Sequence, residues 1–216
     1  MQFYIDTADI SEVKEALSRG WIEGVTTNPS LIAKSGRDIK EVVKDLLDLS
    51  PGWISVEVLA TQAEEMIKEG TAWAELGEAI VVKVPMTEEG MKAVRHFSAV
   101  GIKTNVTLVF SPLQALMAAR AGATLVSPFV GRLDDIGHTG MELVEQIIQI
   151  YDNYDLETQV LVASVRNNQH ILEAALLGAE VCTVPFKVLK QMLVHPLTDQ
   201  GLDIFLKDAQ VANGKR

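Results

Sequence analysis

The chain has one cysteine, Cys182, in 216 residues, so it cannot form an internal disulfide. Its neighbours Val181, Thr183 and Val184 favour a strand, where an inert buried thiol is expected. The four histidines, His96, His138, His170 and His195, show no i, i+4 or Cys/His spacing, so no metal site is expected. His96 and His170 fall on predicted helices and are expected to be solvated. Asp134-Asp135 has no further oxygen ligands nearby and reads as a solvated loop. No glycine-rich nucleotide loop follows any strand, and no Gly-x-Ser-x-Gly motif is present. Glycine (15) and proline (7) are ordinary in number, which excludes collagen-like and disordered readings. No apolar run has bilayer length, and the start lacks a basic segment followed by an apolar one, so a cytoplasmic location is expected. Basic residues are the minority, 19 Lys and Arg against 29 Asp and Glu. A net charge of −10 argues against nucleic acid or an anionic membrane as partner. It does not exclude a small anionic substrate held by a local arginine cluster.

What the chain does have is hydrophobic bulk, 48% of residues, enough for one sizeable core. Strand-like and helix-like segments alternate throughout. The predicted strands are 2–6, 24–27, 53–58, 79–84, 102–106, 124–127, 159–163 and 180–184. The predicted helices are 10–19, 29–34, 39–49, 62–76, 88–100, 112–121, 140–151, 169–177 and about 199–211. Gly77, Gly101, Gly122 and Gly178 sit where helices should close, and Asn28-Pro29, Thr87 and Ser111-Pro112 sit where they should open. Strict βα alternation means a parallel sheet, either open and doubly wound or closed as a (β/α)8 barrel. The missing nucleotide loop and the count of eight favour a single-domain (β/α)8 TIM barrel over residues 1–211, with an extra C-terminal helix and a frayed tail at 212–216.

In a barrel the C-terminal strand ends carry the chemistry. Those ends supply Asp6; Thr26, Thr27 and Asn28; Glu57; Lys83; Asn105 and Thr107; Ser127, with Arg132 just beyond; and Ser164 and Arg166. Each has a structural alternative: Asp6 a helix cap, Asn28 a turn, Glu57 a counter-ion for Lys83. Lys83 is the unusual member, a lysine in the apolar run Ala79–Pro85. Burial in such a run disfavours an ammonium, and a neutral amine can attack a ketone to form a Schiff base. Asp6 and Glu57 are the carboxylates available for proton transfer. Arg132, Arg166 and Ser164 offer a phosphate fork, while Asn28, Asn105 and Thr107 can bond sugar hydroxyls. Together these residues describe a metal-free aldol-type enzyme for a phosphorylated sugar.

Val25-Thr26-Thr27-Asn28-Pro29-Ser30-Leu31, Val82-Lys83-Val84-Pro85, Asn105-Val106-Thr107-Leu108, Ser127-Pro128-Phe129-Val130-Gly131-Arg132 and Ala163-Ser164-Val165-Arg166-Asn167 resemble transaldolase signatures. The resemblance spans essentially the whole chain and points to the compact subfamily that also contains fructose-6-phosphate aldolase. It implies a (β/α)8 barrel with no cofactor and a Schiff-base lysine at Lys83. Asp6 would handle the C4 hydroxyl proton, and Glu57, through a water, would assist imine formation. Thr26, Asn28, Thr107 and Phe129 would lie in the substrate site. Asn105 and Ser127 would hold the dihydroxyacetone unit, and Arg132, Ser164 and Arg166 the phosphate. The implied reaction moves dihydroxyacetone from fructose 6-phosphate or sedoheptulose 7-phosphate to an aldose phosphate, in the non-oxidative pentose phosphate pathway. Fructose-6-phosphate aldolases carry glutamine, tyrosine and commonly alanine at the positions of Glu57, Phe129 and Ser127, so those three residues resemble transaldolase. The resemblance also implies a homo-oligomer, a decamer of two pentamers. Leu197, Leu202, Ile204, Phe205 and Leu206 make the last helix apolar enough to need a cover.

Overall fold

The computed structural model describes residues 1–214. The first half runs β1 (Gln2–Asp6), α1 (Ile10–Ser18), β2 (Gly24–Thr26), α2 (Pro29–Ser35), α3 (Ile39–Leu49), β3 (Trp53–Glu57), α4 (Ala63–Ala74), β4 (Ile80–Pro85) and α5 (Glu88–Ala99). The second runs β5 (Thr104–Val109), α6 (Pro112–Ala121), β6 (Leu125–Pro128), α7 (Val130–Asp134), α8 (Gly140–Asn153), β7 (Gln159–Val162), α9 (Asn168–Leu177), β8 (Val181–Val184), α10 (Phe186–Gln191) and α11 (Pro196–Gly214). The eight strands pair in parallel in chain order, and β1 pairs β8 to close the barrel.

The strands are apolar on both faces because both faces are covered. On β4, Val82 and Val84 point outward: a methyl added at Gly70 of α4 would lie 2.7 Å from Val82, and one at Gly90 of α5 would lie 3.2 Å from Val84. The alternate residues, Val81 and Lys83, point into the barrel. Tyr4, Val81, Leu125, Leu161 and Val181 pack its interior. Gly24 of β2 makes room for that packing, since a methyl there would sit 2.6 Å from the Tyr4 ring. This plug closes the lower half and leaves the polar residues at the C-terminal strand ends above it.

The helix ends follow local chemistry. Asp9, Asn28, Asp38, Thr87, Ser111 and Asn167 accept backbone N–H groups at their helix starts, and Ser111 with Gln114 forms a reciprocal capping box. Asp9 rather than Asp6 caps α1, which leaves Asp6 for the barrel mouth. Gly122 and Gly178 close α6 and α9 with φ of +93° and +87°. Gly77 takes no such conformation, because α4 ends earlier, with Glu75 as its C-cap.

Two short helices lie outside those predicted from the sequence. The helices α7 and α10 have five and six residues, too few for an apolar periodicity, and neither has a side-chain cap at its start. The last helix runs from Pro196 to Gly214, longer than 199–211 and into the segment expected to fray; Lys215 and Arg216 lie outside the described residues. Among the described residues no helix is long and apolar enough to cross a membrane.

Candidate active site

A cavity of about 260 Å³ opens at the C-terminal end of the barrel. Its wall includes Asp6, Thr26, Asn28, Lys83, Asn105, Ser127, Phe129, Arg132, Ser164 and Arg166, ten of the thirteen residues singled out from sequence. Thr27, Glu57 and Thr107, the other three, do not line it. A larger groove, about 760 Å³, lies between α3 and α4 and contains none of these residues.

Lys83 sits at the centre. It is only 4% exposed. Its Nζ donates to the Thr27 carbonyl at 2.9 Å and lies 3.1 Å from Glu57 Oε2. The apolar run is therefore the strand's environment more than the amine's, because the flanking valines, Val82 and Val84, face the helices. Strand register places Glu57, Lys83 and Asn105 side by side on β3, β4 and β5. A carboxylate within hydrogen-bond reach of a buried amine can take its proton.

Asp6 accepts a 2.8 Å hydrogen bond from Thr26, whose hydroxyl lies 2.6 Å from that of Thr183. Burial pushes the Asp6 carboxyl above the usual carboxylate range. The Lys83 ammonium and the Thr26 hydroxyl pull it partly back, and the Glu57 charge adds to the rise. A buried carboxyl of raised basicity, within the field of the amine, suits proton transfer.

Asn105 is held from both sides. Its Nδ2 donates to Ser55 at 3.1 Å, and its Oδ1 accepts from Ser127 at 2.7 Å. One amide hydrogen and one lone pair remain for a ligand. Ser55 lies mid-strand and carries no strand-end signal, so the sequence reading missed it. Thr107 is buried, and its hydroxyl has no protein partner among the described residues. It sits beside a register shift in β5 where Leu108 takes φ of +61°. That conformation is costly for a bulky residue and is typical of strain kept at a site.

The arginines stand at the far side. The Arg132 guanidinium lies 5.0 Å from the Phe129 ring centroid, and Arg166 pairs with Asp135 at 2.9 Å across an exposed contact. Ser164 takes φ of +60°, and its carbonyl accepts from Gly131 N at 3.1 Å. Asn28 has both roles raised from sequence: it caps α2 and lines the cavity. Ser30 and Lys34 of α2 also line it. They lie beyond the strand end, where the sequence reading did not look.

Two expectations are corrected. His170 is buried, not solvated, and its Nε2 lies 2.8 Å from Asp134 Oδ2. Asp134 and Asp135 are not a free loop: Asp134 ends α7 and Asp135 caps it, engaging His170 and Arg166 respectively. Among the described residues no His, Cys, Asp and Glu cluster could hold a metal.

The profile of the transaldolase/fructose-6-phosphate aldolase family matches residues 3–214. A probable transaldolase of Bdellovibrio bacteriovorus is 58% identical over 215 residues, covering 100% of both chains. Probable transaldolases of Aquifex aeolicus and Alkaliphilus metalliredigens are 58% and 60% identical over 208 residues, 96% of this chain and 96% and 97% of theirs. A parallel barrel, a buried lysine among strand-end carboxylates and a match along nearly the whole chain converge: this protein belongs to the transaldolase/fructose-6-phosphate aldolase family of enzymes.

Proposed function

We propose that this enzyme is a transaldolase that moves dihydroxyacetone from fructose 6-phosphate or sedoheptulose 7-phosphate to erythrose 4-phosphate or glyceraldehyde 3-phosphate. The observation that carries the reading is the buried Lys83–Glu57 contact of 3.1 Å, with Phe129 supplying no hydroxyl at the cavity wall.

Glu57 takes a proton from the Lys83 ammonium, and the neutral amine adds to the C2 ketone. The carbinolamine loses its hydroxyl as water, using a proton returned from Glu57, and leaves an iminium ion on Lys83. Asp6 takes the C4 hydroxyl proton while the C3–C4 bond breaks. The bond electrons move into an enamine, and the shortened aldose phosphate leaves. The enamine carbon attacks the acceptor aldehyde, Asp6 returns the proton to the new hydroxyl, and water hydrolyses the imine. Asn105 and Ser127 hold the retained three carbons, and Arg132, Ser164 and Arg166 hold the phosphate. The iminium ion on Lys83 accepts the electron pair of the broken C3–C4 bond, and every proton taken is returned, so the cycle closes on this chain's own groups.

Release of free dihydroxyacetone, the fructose-6-phosphate aldolase reaction, is the second reading, because the matched family spans both activities. The same assay separates them: fructose 6-phosphate is supplied with and without erythrose 4-phosphate. Transaldolase predicts three-carbon transfer only with the acceptor. Efficient dihydroxyacetone release without an acceptor would favour the aldolase.

Assembly belongs to the same proposal. Leu202, Phe205 and Leu206 are exposed along α11, Phe205 by 73%. A second copy of this chain covers them. Sedimentation of the full chain and of one ending at His195 tests this: a monomeric full chain contradicts it.

A further inference from the structure

We infer that His170 and Asp134 are positioning residues that set the spacing of the two cavity arginines. This inference rests on the reading of Arg132 and Arg166 as phosphate ligands.

The helix α7, which carries Arg132, is one and a half turns long and cannot hold its own shape. Its first turn is tied to the next strand by Val130 N to Ala163 O and Gly131 N to Ser164 O, both 3.1 Å. A methyl on Gly131 would meet the Ser164 carbonyl at 2.2 Å and the Arg166 side chain at 2.6 Å, so the contact tolerates no side chain there. The far end is tied through Asp134. Its Oδ1 accepts from Gly140 N at 2.8 Å, and its Oδ2 meets His170 Nε2 at 2.8 Å.

His170 then reaches the second arginine. Its Nδ1 accepts the Arg166 backbone N–H at 3.3 Å, and the His170 backbone N–H donates to Asn167 Oδ1 at 3.1 Å. One buried ring thus receives a bond from the residue bearing one guanidinium. It gives a bond to a carboxylate two residues beyond the other. A carboxylate facing Nε2 and a backbone N–H facing Nδ1 require the proton on Nε2. Asp134 therefore selects the tautomer that can hold Arg166. The Asp135–Arg166 pair cannot do this work: both side chains are more than half exposed, and such pairs contribute little. It leaves the Arg166 guanidinium able to exchange a carboxylate for a phosphate. A displacement of roughly 1 Å at such a fork can cost about a hundredfold.

The test compares fructose 6-phosphate with unphosphorylated fructose as donor in wild type, His170→Leu, His170→Asn, Asp134→Asn and Arg166→Gln. The expected result for His170→Leu is a rise of about tenfold or more in KM for the phosphorylated donor. Its kcat, and its kcat/KM for fructose, should stay within about twofold. His170→Asn, which keeps an acceptor for Arg166 N–H, should recover much of the loss. Asp134→Asn, which presents an amide N–H where the ring needs an acceptor, should not. ¹⁵N spectra of the wild-type imidazole should show Nδ1 unprotonated. If Arg166→Gln loses the preference for phosphate while both His170→Leu and Asp134→Asn keep it, the positioning role is overturned. If Arg166→Gln keeps that preference, the phosphate reading itself falls, and this inference with it. If His170→Leu does not fold, Asp134→Asn, on a partly exposed side chain, and the ¹⁵N assignment decide alone; a protonated Nδ1 overturns the inference.

Discussion

Removing the Glu57 carboxylate leaves the Lys83 ammonium buried with, among the described residues, the Thr27 carbonyl as its remaining hydrogen-bond partner. The two side chains are 6% and 17% exposed and 3.1 Å apart. Breaking a buried pair by deleting one partner costs about 3–5 kcal/mol, and the partial exposure of Glu57 puts this pair near the low end, about 3 kcal/mol. For a chain of this size that lowers the midpoint of thermal unfolding by about 6–12 °C. Replacing both groups removes both desolvation costs. Glu57→Ala with Lys83→Met should therefore lose less than the sum of the single losses, a coupling of at least about 1 kcal/mol. The assay is urea unfolding of the wild type, both single variants and the double variant, followed by fluorescence of the three tryptophans. Strict additivity would refute the claim that the pair is energetically coupled. Loss of Schiff-base formation in Glu57→Ala without any loss of stability would show that Glu57 acts in chemistry but not in charge compensation.

Other outcomes follow from neighbouring contacts. Asp6 has a raised pKa, so the fold disfavours its ionised form; stability from this group is present in acid and lost as pH rises through the folded pKa. Asp6→Asn should therefore raise the melting temperature at neutral pH, gain less in acid, and abolish turnover; a lower neutral melting temperature contradicts this. Because Asp6 must be ionised to take a proton, wild-type kcat should fall on acidification with a midpoint above the usual carboxylate range, and a midpoint at an ordinary carboxylate value counts against that role. Glu57→Gln with Phe129→Tyr should shift product toward free dihydroxyacetone; an unchanged ratio of release to transfer removes these positions as determinants. Gly24→Ala drives a methyl to 2.6 Å from the Tyr4 ring and should cost about 1–3 kcal/mol in chemical unfolding, so a neutral result would mean the plug yields more readily than its packing indicates.

The barrel was legible because its rules are local and repeated. Runs such as Val160–Val162 are apolar on both faces, and caps such as Ser111-Pro112 and Gly122 mark where helices start and stop. The strand ends were legible because a polar residue on such a run has few structural reasons to be there, and nine of those residues line one cavity. What failed had no local mark. His170 lies 36 positions from Asp134 and looks like any helix histidine; its burial and its contact with Asp134 arise only in the folded chain. Ser55 holds Asn105 across 50 residues from the middle of a strand. The expectation for Lys83 rested on an incomplete argument. The neighbouring valines suggested an apolar pocket, but on a strand they face the opposite way, toward α4 and α5.

The proposed reaction passes through a covalent intermediate on Lys83. Fructose 6-phosphate with borohydride should irreversibly inactivate the enzyme and add the mass of one reduced dihydroxyacetone unit. Peptide mapping should place that unit on Lys83, with no adduct in Lys83→Ala. An adduct on another lysine, or one that persists in Lys83→Ala, contradicts the account.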